Sequence, residues 1–449
     1  MTAIVLEKNS HQTEPDRQLG ALKDQAQAMV VTDATLGQKR QQAGQELEGL
    51  RLPNKRDEEW QFTDLNDFKQ IVFSAASTAP LDPQRAENFY LPEAKQSRLV
   101  FVNGSFAENL SDVGALPDRV ICGHWGNLSL TQQETLTSYL GQQVDQQDVF
   151  AVLNTSGLHD VAVVWIPAAV EVAIPIHCLF LTMVEPTPAL VQPRLLVVAE
   201  ANSRLTLVES YGAIATNCTD RPQHQPYCNN IVSELYLGDN AHVTHVRNQR
   251  DSGDSFHFAT TAIAQDRNSH YRLFDINLGA KLSRHTLAMT QQGEQTQTDF
   301  FALTALAGRQ VSDTHSSIAL RHPHGTTNQL HKCIVDDYAQ AVFSGKVLVP
   351  QSAQLTNACQ LNRNLVLSAK ARINTKPELQ ITADNVKCSH GATISQLEAD
   401  EVFYLRSRGL NDYDARHLLI DAFAGEILDQ IPLISLQQRL RQCIACRTI

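Results

Sequence analysis

Cys388 and His390 are the residues whose types and spacing best suit chemistry, within Lys387-Cys388-Ser389-His390-Gly391-Ala392-Thr393. Side chains alternate along an extended segment, so a thiol and an imidazole two residues apart face the same way. Sulfur and imidazole nitrogen suit iron or zinc better than magnesium or calcium. Two donors do not close a protein metal site, which takes three or four, so a metal role here requires ligands from elsewhere. The competing reading is structural: a buried thiol beside a hydrogen-bonded histidine.

Other clusters carry less. His331 and Cys333 share a strand face by alternation, whereas the proline and glycine flanking His324, near His322, suggest a loop. Cys443-Ile444-Ala445-Cys446 sets two thiols one helical turn apart, a redox or metal candidate without a second pair. Asp336 and Asp337 are the kind of carboxylate pair that a β-helix enzyme acting on polysaccharide would need, although neighbours on a strand face opposite ways. A plain interaction scaffold with no metal role is the third reading. Self-sufficient ATP hydrolysis is not expected, because Ser344-Gly345-Lys346-Val347 lacks the first glycine and the hydroxyl of a phosphate-binding loop. Gly-x-Gly, Gly-x-Ser-x-Gly and His-Glu-x-x-His do not occur.

Composition narrows the field further. The chain has 449 residues, 43% of them apolar, and a formal charge of −11. That length buries a large core and suits more than one folding unit. The acidic balance argues against nucleic acid as a partner. No apolar run approaches the roughly 20 residues that cross a bilayer. Met1 to Gln18 lacks the basic start and apolar block of a secretory signal. A cytoplasmic location is therefore expected, with the nine cysteines reduced.

The flanks of the Cys-x-His motif add a further pattern. Thr375-Lys376-Pro377-Glu378-Leu379-Gln380-Ile381 precedes it and Phe403-Tyr404-Leu405-Arg406-Ser407-Arg408-Gly409-Leu410 follows it. In this order, with Cys388 to Thr393 between them, these segments resemble the SufB/SufD family of iron–sulfur cluster assembly scaffolds. The Lys-Cys-Ser-His-Gly-Ala-Thr form is similar to the SufD branch, since the SufB branch usually has His-Glu-Ala-Thr there. Leu52-Pro53-Asn54-Lys55-Arg56-Asp57-Glu58-Glu59-Trp60 resembles the family's amino-terminal part, and on its residues alone is a loop with an aromatic anchor.

The resemblance implies a non-catalytic scaffold that pairs with a SufB-like sister, or forms a homodimer in isolation, and carries a SufC-like ATPase on its helical tail. The region matching the docking tail holds Tyr404, Leu405, Arg406, Arg408, Gly409, Leu410, Ala415, Leu418, Leu419, Phe423 and Glu426. An iron–sulfur cluster or iron would be shared transiently with the partner, His390 giving a nitrogen donor and Cys388 a second contribution. Nitrogen in place of sulfur lowers the negative charge around iron and favours a labile cluster. In the SufB branch a ligating cysteine belongs near Cys359, but its register falls nearer Asn362, so Cys359 does not inherit that role.

Four regions must position these residues. Residues 1–97 form a mainly helical region, with Ser74 to Pro92 as a linker, and residues 98–193 a mixed α/β lead-in. Residues 194–394 alternate short apolar strands with polar corners, such as Glu200-Ala201-Asn202-Ser203, Gly238-Asp239-Asn240-Ala241 and Asp266-Arg267-Asn268-Ser269. That texture suits stacked coils, although its loose period leaves an ordinary β-sandwich open; a mainly β chain built on a right-handed parallel β-helix is expected, as the resemblance also implies. Residues 395–449 form a helical domain. Capping boxes are expected at Ser395/Glu398 and Ser435/Gln438, with Gly409 ending one helix. Ala415, Leu418, Leu419, Ala422, Phe423 and Ile427 are spaced as one apolar stripe.

Overall fold

The computed structural model describes residues 16–77, 80–214, 222 and 224–447. Residues 1–15, most of the amino-terminal stretch considered as a signal, and Cys218 lie outside them. The chain is mainly β, a parallel β-solenoid with helices towards both ends.

Among the described residues the strands alternate between two sheets of 11 and 10 strands. In the first, Ala162–Ile166, Arg194–Ala199, Cys228–Leu237, Phe256–Gln265, Leu282–Gln291, Val311–Ala319, Gln340–Val349 and Arg372–Ile381 lie side by side in chain order. In the second, Ile176–Met183, Arg204–Ile214, His242–Arg250, His270–Asn277, Gln297–Leu306, Thr326–Val335, Asn357–Val366 and Lys387–Ser395 do the same. His270 pairs with Gln297, Gln297 with Thr326, Thr326 with Asn357 and Asn357 with Lys387, all in parallel, so a turn takes about thirty residues. Arg98–Val102 pairs with Ile176–Met183, and Ala162–Ile166 with Arg194–Ala199, so the first rungs are already built within residues 98–193.

Local chemistry explains the turns. Asn202, Asn240 and Asn268 occupy left-handed backbone at φ of 60°, 58° and 63°, which asparagine tolerates better than most residues. They also stack: Asn268 donates to Asn240 at 2.8 Å and Asn240 to Asn202 at 3.1 Å. Inside the coil, residues such as Leu205, Leu207, Leu235, Ile263 and Leu287 from both sheets form the central core. The outer face of the first sheet is covered by amino-terminal residues, with Leu19, Leu22, Phe68 and Phe150 against Phe256 and Phe258. The second sheet carries Phe274, Ile276, Leu303 and Ile334 outward, where Ile420, Ile427, Leu436 and Leu440 of the tail pack on them.

Trp60 anchors its loop as expected, 5.6 Å from Phe150 and with Arg284 at 4.0 Å over its ring. The same loop straps the first sheet through Glu59 to His315 at 2.8 Å, Thr63 to Asp313 at 2.5 Å and Glu58 to Lys376 at 2.6 Å.

Several local expectations are corrected. Ser74 to Pro92 is not a bare linker: Ser74–Ala75 pairs with a strand at Ala189–Val191, and Leu81 and Ala86 are buried. Ser395 caps nothing, because it ends a strand, and the helix Ala399–Ser407 starts after Glu398 without a side-chain cap. Ser435 is already inside the helix Ile434–Arg447, and its amide and hydroxyl go to Glu93 at 2.9 and 2.6 Å. Asp336 and Asp337 are corner residues: Asp337 has φ of 52° and accepts the Gly308 amide at 2.9 Å. Gly409 does follow the end of its helix, at φ of 100°.

The stripe is also redrawn. In the helix Asp412–Leu428 the buried residues are Ala415, Ile420, Ala424, Gly425, Ile427 and Leu428, whereas Leu418 and Ala422 are exposed. The helix is apolar nearly all round between Leu418 and Ala424, so spacing alone does not select the inward face.

Candidate functional site at the open end of the solenoid

Among the described residues Lys387–Ser395 and Arg372–Ile381 are the outermost strands of their sheets, so each leaves one backbone edge without a neighbouring described strand. Pro377 removes one N–H from the second of these edges. Ile381, Ile394 and Leu355 are exposed at this end.

Register explains how the terminal strand places its side chains. Cys388 continues the column Thr327–Ala358, and His390 the column Gln329–Gln360. Thr327, Gln329, Ala358 and Gln360 are all buried inside the coil. Gln360 donates to Gln329 Oε1 at 2.8 Å and Gln329 to Ser316 Oγ at 2.7 Å, while Gln360 Oε1 has no partner among the described residues. One rung later the coil stops. Cys388 is half-buried against the central core, and His390 is exposed. Burial pushes the Cys388 thiol above its ordinary range, opposed by the Ala358 backbone, so a thiolate there requires a metal or a nearby cation. Among the described residues no three His, Cys, Asp or Glu side chains converge as a metal site.

His331 and Cys333 are both buried inside the coil. His331 Nε2 lies 3.2 Å from Thr304 Oγ1, and burial holds its imidazole at about 4. Burial likewise pushes the Cys333 thiol to about 12. His324 sits at a corner with φ of 61°. Cys359 points outward and is exposed, whereas Asn362 is buried within the coil. On the last helix Cys443 is half-buried and Cys446 exposed.

The tail residues divide. Tyr404, Arg406, Arg408, Gly409 and Leu418 face solvent, joined by exposed Phe403 and Tyr413. Leu405, Leu410 and Leu419 are half-buried, and Ala415 is fully buried. Phe423 packs on the outer core, and Glu426 pairs with Lys332 and Arg363 of this same chain.

The sequence also hid a buried acid–base cluster deeper in the coil. Arg247 donates to Asp275 at 2.9 Å and also bonds His257. His285 meets Asp275 at 2.9 Å, His257 meets Asp251 at 2.7 Å, and His245 meets Glu209 at 3.0 Å. Burial alone would raise the Asp275 carboxyl, but His285 and Arg247 hold it well below the usual range. These residues alternate with outward Val246, Phe274 and Ile276, so polar residues face in and apolar residues face out. On a strand that pattern reads equally as a solvent face.

A family model described as "SUF system FeS cluster assembly, SufBD core domain" matches residues 181–423, and one described as "SufBD protein N-terminal region" matches residues 14–178. An iron–sulfur cluster assembly SufBD family protein of Synechocystis sp. is 71% identical over 100% of both chains. Protein ABCI7, chloroplastic, of Arabidopsis thaliana is 32% identical over 94% of this chain and 88% of its own. Iron–sulfur cluster assembly protein SufD of Escherichia coli is 30% identical over 89% of this chain and 90% of its own.

Proposed function

The chain belongs to the SufBD family of SUF-system iron–sulfur cluster assembly proteins, and on that premise we propose that it is a SufD-type scaffold subunit lending one side of a cluster site to a SufB-like sister. The observation that carries this reading is His390, an exposed side chain on the last interior position of an uncapped coil. A sister seated against the two outer edges covers that end and supplies further thiolate or carboxylate ligands, since no three such side chains converge there among the described residues.

His390 is the nitrogen donor, and Cys388 a second donor once metal displaces its proton. The cluster is cargo, assembled transiently and passed on. A SufC-like ATPase docks on the exposed Phe403, Tyr404 and Leu418, flanked by Arg406 and Arg408. ATP hydrolysis belongs to that partner, and this chain is a non-catalytic subunit. Without the sister, a second copy fits the same edges and gives a homodimer. A cytoplasmic location goes with free thiols.

The test is iron and acid-labile sulfide bound per complex, for the parent and His390→Ala, with subunit stoichiometry measured alongside. A severalfold loss at unchanged stoichiometry is expected. Equal iron in both sinks the ligand role.

A further inference from the structure

Glu426 is tied to its own chain although its side chain stays 41% exposed. On the helix Asp412–Leu428 its carboxylate lies 2.5 Å from Lys332 Nζ and 3.2 Å from Arg363 Nη1. The Lys332 side chain is 3% exposed, donates to the Phe423 carbonyl at 2.7 Å and sits 4.0 Å from the Phe423 ring. Lys332 and Arg363 are register partners on adjacent strands, and the next residue in their column is Thr393 on the terminal strand. One tail carboxylate thus grips the two rungs directly beneath the strand that bears His390.

Burial divides the tail at the same point. Between Ala399 and Leu419 the buried residues are Val402 and Ala415. From Ile420 onward Ala424, Gly425, Ile427, Leu428, Leu436, Leu440 and Ile444 are all buried. The outer half carries the exposed Phe403, Tyr404, Tyr413 and Leu418. Its other attachment is covalent and short: Ser395 ends the terminal strand, Leu397 packs on the outer core, and the helix begins at Ala399. An arm of two helices therefore has a packed root at Ile420–Leu428 and a direct chain link to the strand of His390.

We propose that Glu426 is a positioning residue for His390, making the root of this arm a fulcrum by clamping Lys332 and Arg363, so that load on the exposed half is delivered to the terminal strand rather than dissipated at the root. Glu426 itself does not touch the docked ATPase. The proposal rests on the docking reading above for the source of the load. The clamp suits a stiff joint because separating Glu426 from Lys332 strands a buried ammonium without its counter-charge. The surface pair Arg406–Asp412, 3.4 Å apart on the arm, carries no such penalty.

The experiment is hydrogen exchange at residues 387–395 in the complete complex, with and without a non-hydrolysed ATP analogue, alongside the affinity of the ATPase subunit. The variants are Arg363→Gln, Glu426→Gln and Leu418→Ala. Arg363→Gln leaves the Lys332–Glu426 pair in place and guards against a folding defect in Glu426→Gln. Both clamp variants are expected to bind the ATPase subunit within about twofold of the parent; Glu426→Gln is expected to lose most of the nucleotide-dependent change at 387–395, and Arg363→Gln, which removes only the exposed half of the clamp, a smaller part of it. Leu418→Ala is expected to bind about tenfold more weakly and, at saturating ATPase subunit, to keep that change. An unaltered nucleotide response in both clamp variants overturns the proposal. So does a loss of affinity in Glu426→Gln matching that of Leu418→Ala, which would make Glu426 a docking contact. A parent complex that binds the ATPase subunit but shows no response at 387–395 overturns it too. A parent chain that binds no ATPase subunit removes the docking reading, and the load with it.

Discussion

His390 stands one rung above Gln360: the two are register partners on the last two strands of the second sheet, and Gln360 is 1% exposed while His390 is open to solvent. The next turn of the coil is what the end position lacks. On the proposed pairing, a sister seated there would bury His390 as His390's own strand helps to bury Gln360. Diethyl pyrocarbonate should therefore modify His390 readily in the dilute monomer and at least about tenfold more slowly in the paired complex. Equal rates would place the sister elsewhere.

Gly345→Ala should disturb the floor of this site. A Cβ at Gly345 would run into the Gln360 amide and come within 2.6 Å of the Phe343 ring. Relief displaces Gln360 from Gln329, its 2.8 Å partner beneath His390. Overpacking of this kind costs about 1–3 kcal/mol, measurable by urea unfolding, and should lower iron retention in the complex. A variant with parental stability and iron content would show that the column yields freely.

Acid should unfold the chain in two stages. Burial holds His285 and His331 at about 4, below the ordinary 6.5 of histidine, with the Asp275 carboxylate opposing in both. Between those values the unfolded chain binds protons that the fold refuses, so stability is whole above pH 6.5 and falls as pH drops towards 4. Each histidine accounts for a loss on the order of 3 kcal/mol across that interval. Glu209 follows lower down: burial would raise it, but His245 and Arg247 hold it at about 2, so its contribution is lost as pH falls from 4.5 through that value. Urea midpoints at about pH 7, 5.5 and 4.5 check the first stage. His331→Gln should flatten the decline, and a midpoint that does not move would contradict it.

Phe403→Ala and Tyr404→Ala should separate docking from folding. Both side chains are more than half exposed, so each variant should keep its unfolding midpoint to within about 0.5 kcal/mol. Binding of the ATPase subunit should weaken by about 1–2 kcal/mol in at least one of them, read by titration calorimetry. Unchanged affinity in both would place docking on another face.

What the sequence disclosed, and what it concealed, follows from the range of each interaction. The corners at Asn202, Asn240 and Asn268 were legible because left-handed backbone is a local demand met by local residue chemistry. The pairing of Cys388 with His390 on one strand face was legible for the same reason. Ser435 misled because its hydroxyl is satisfied by Glu93, far away in sequence. The inward face of Asp412–Leu428 was undecidable from a helix apolar on several sides, and it was set by the sheet and helix packed around it. The interior cluster of Glu209, Arg247, Asp275 and His285 was invisible because charged alternation looks the same facing water or facing a partner strand.

The open end is a cluster site only if His390 nitrogen bonds cluster iron in the paired complex. The most direct measurement is pulsed electron paramagnetic resonance of the reduced complex, with this chain alone labelled with 15N-histidine. A strong 15N hyperfine coupling that disappears in His390→Ala is the predicted result. A cluster signal of full intensity without that coupling, or with a coupling that survives His390→Ala, would contradict the assignment of the open end as the cluster site.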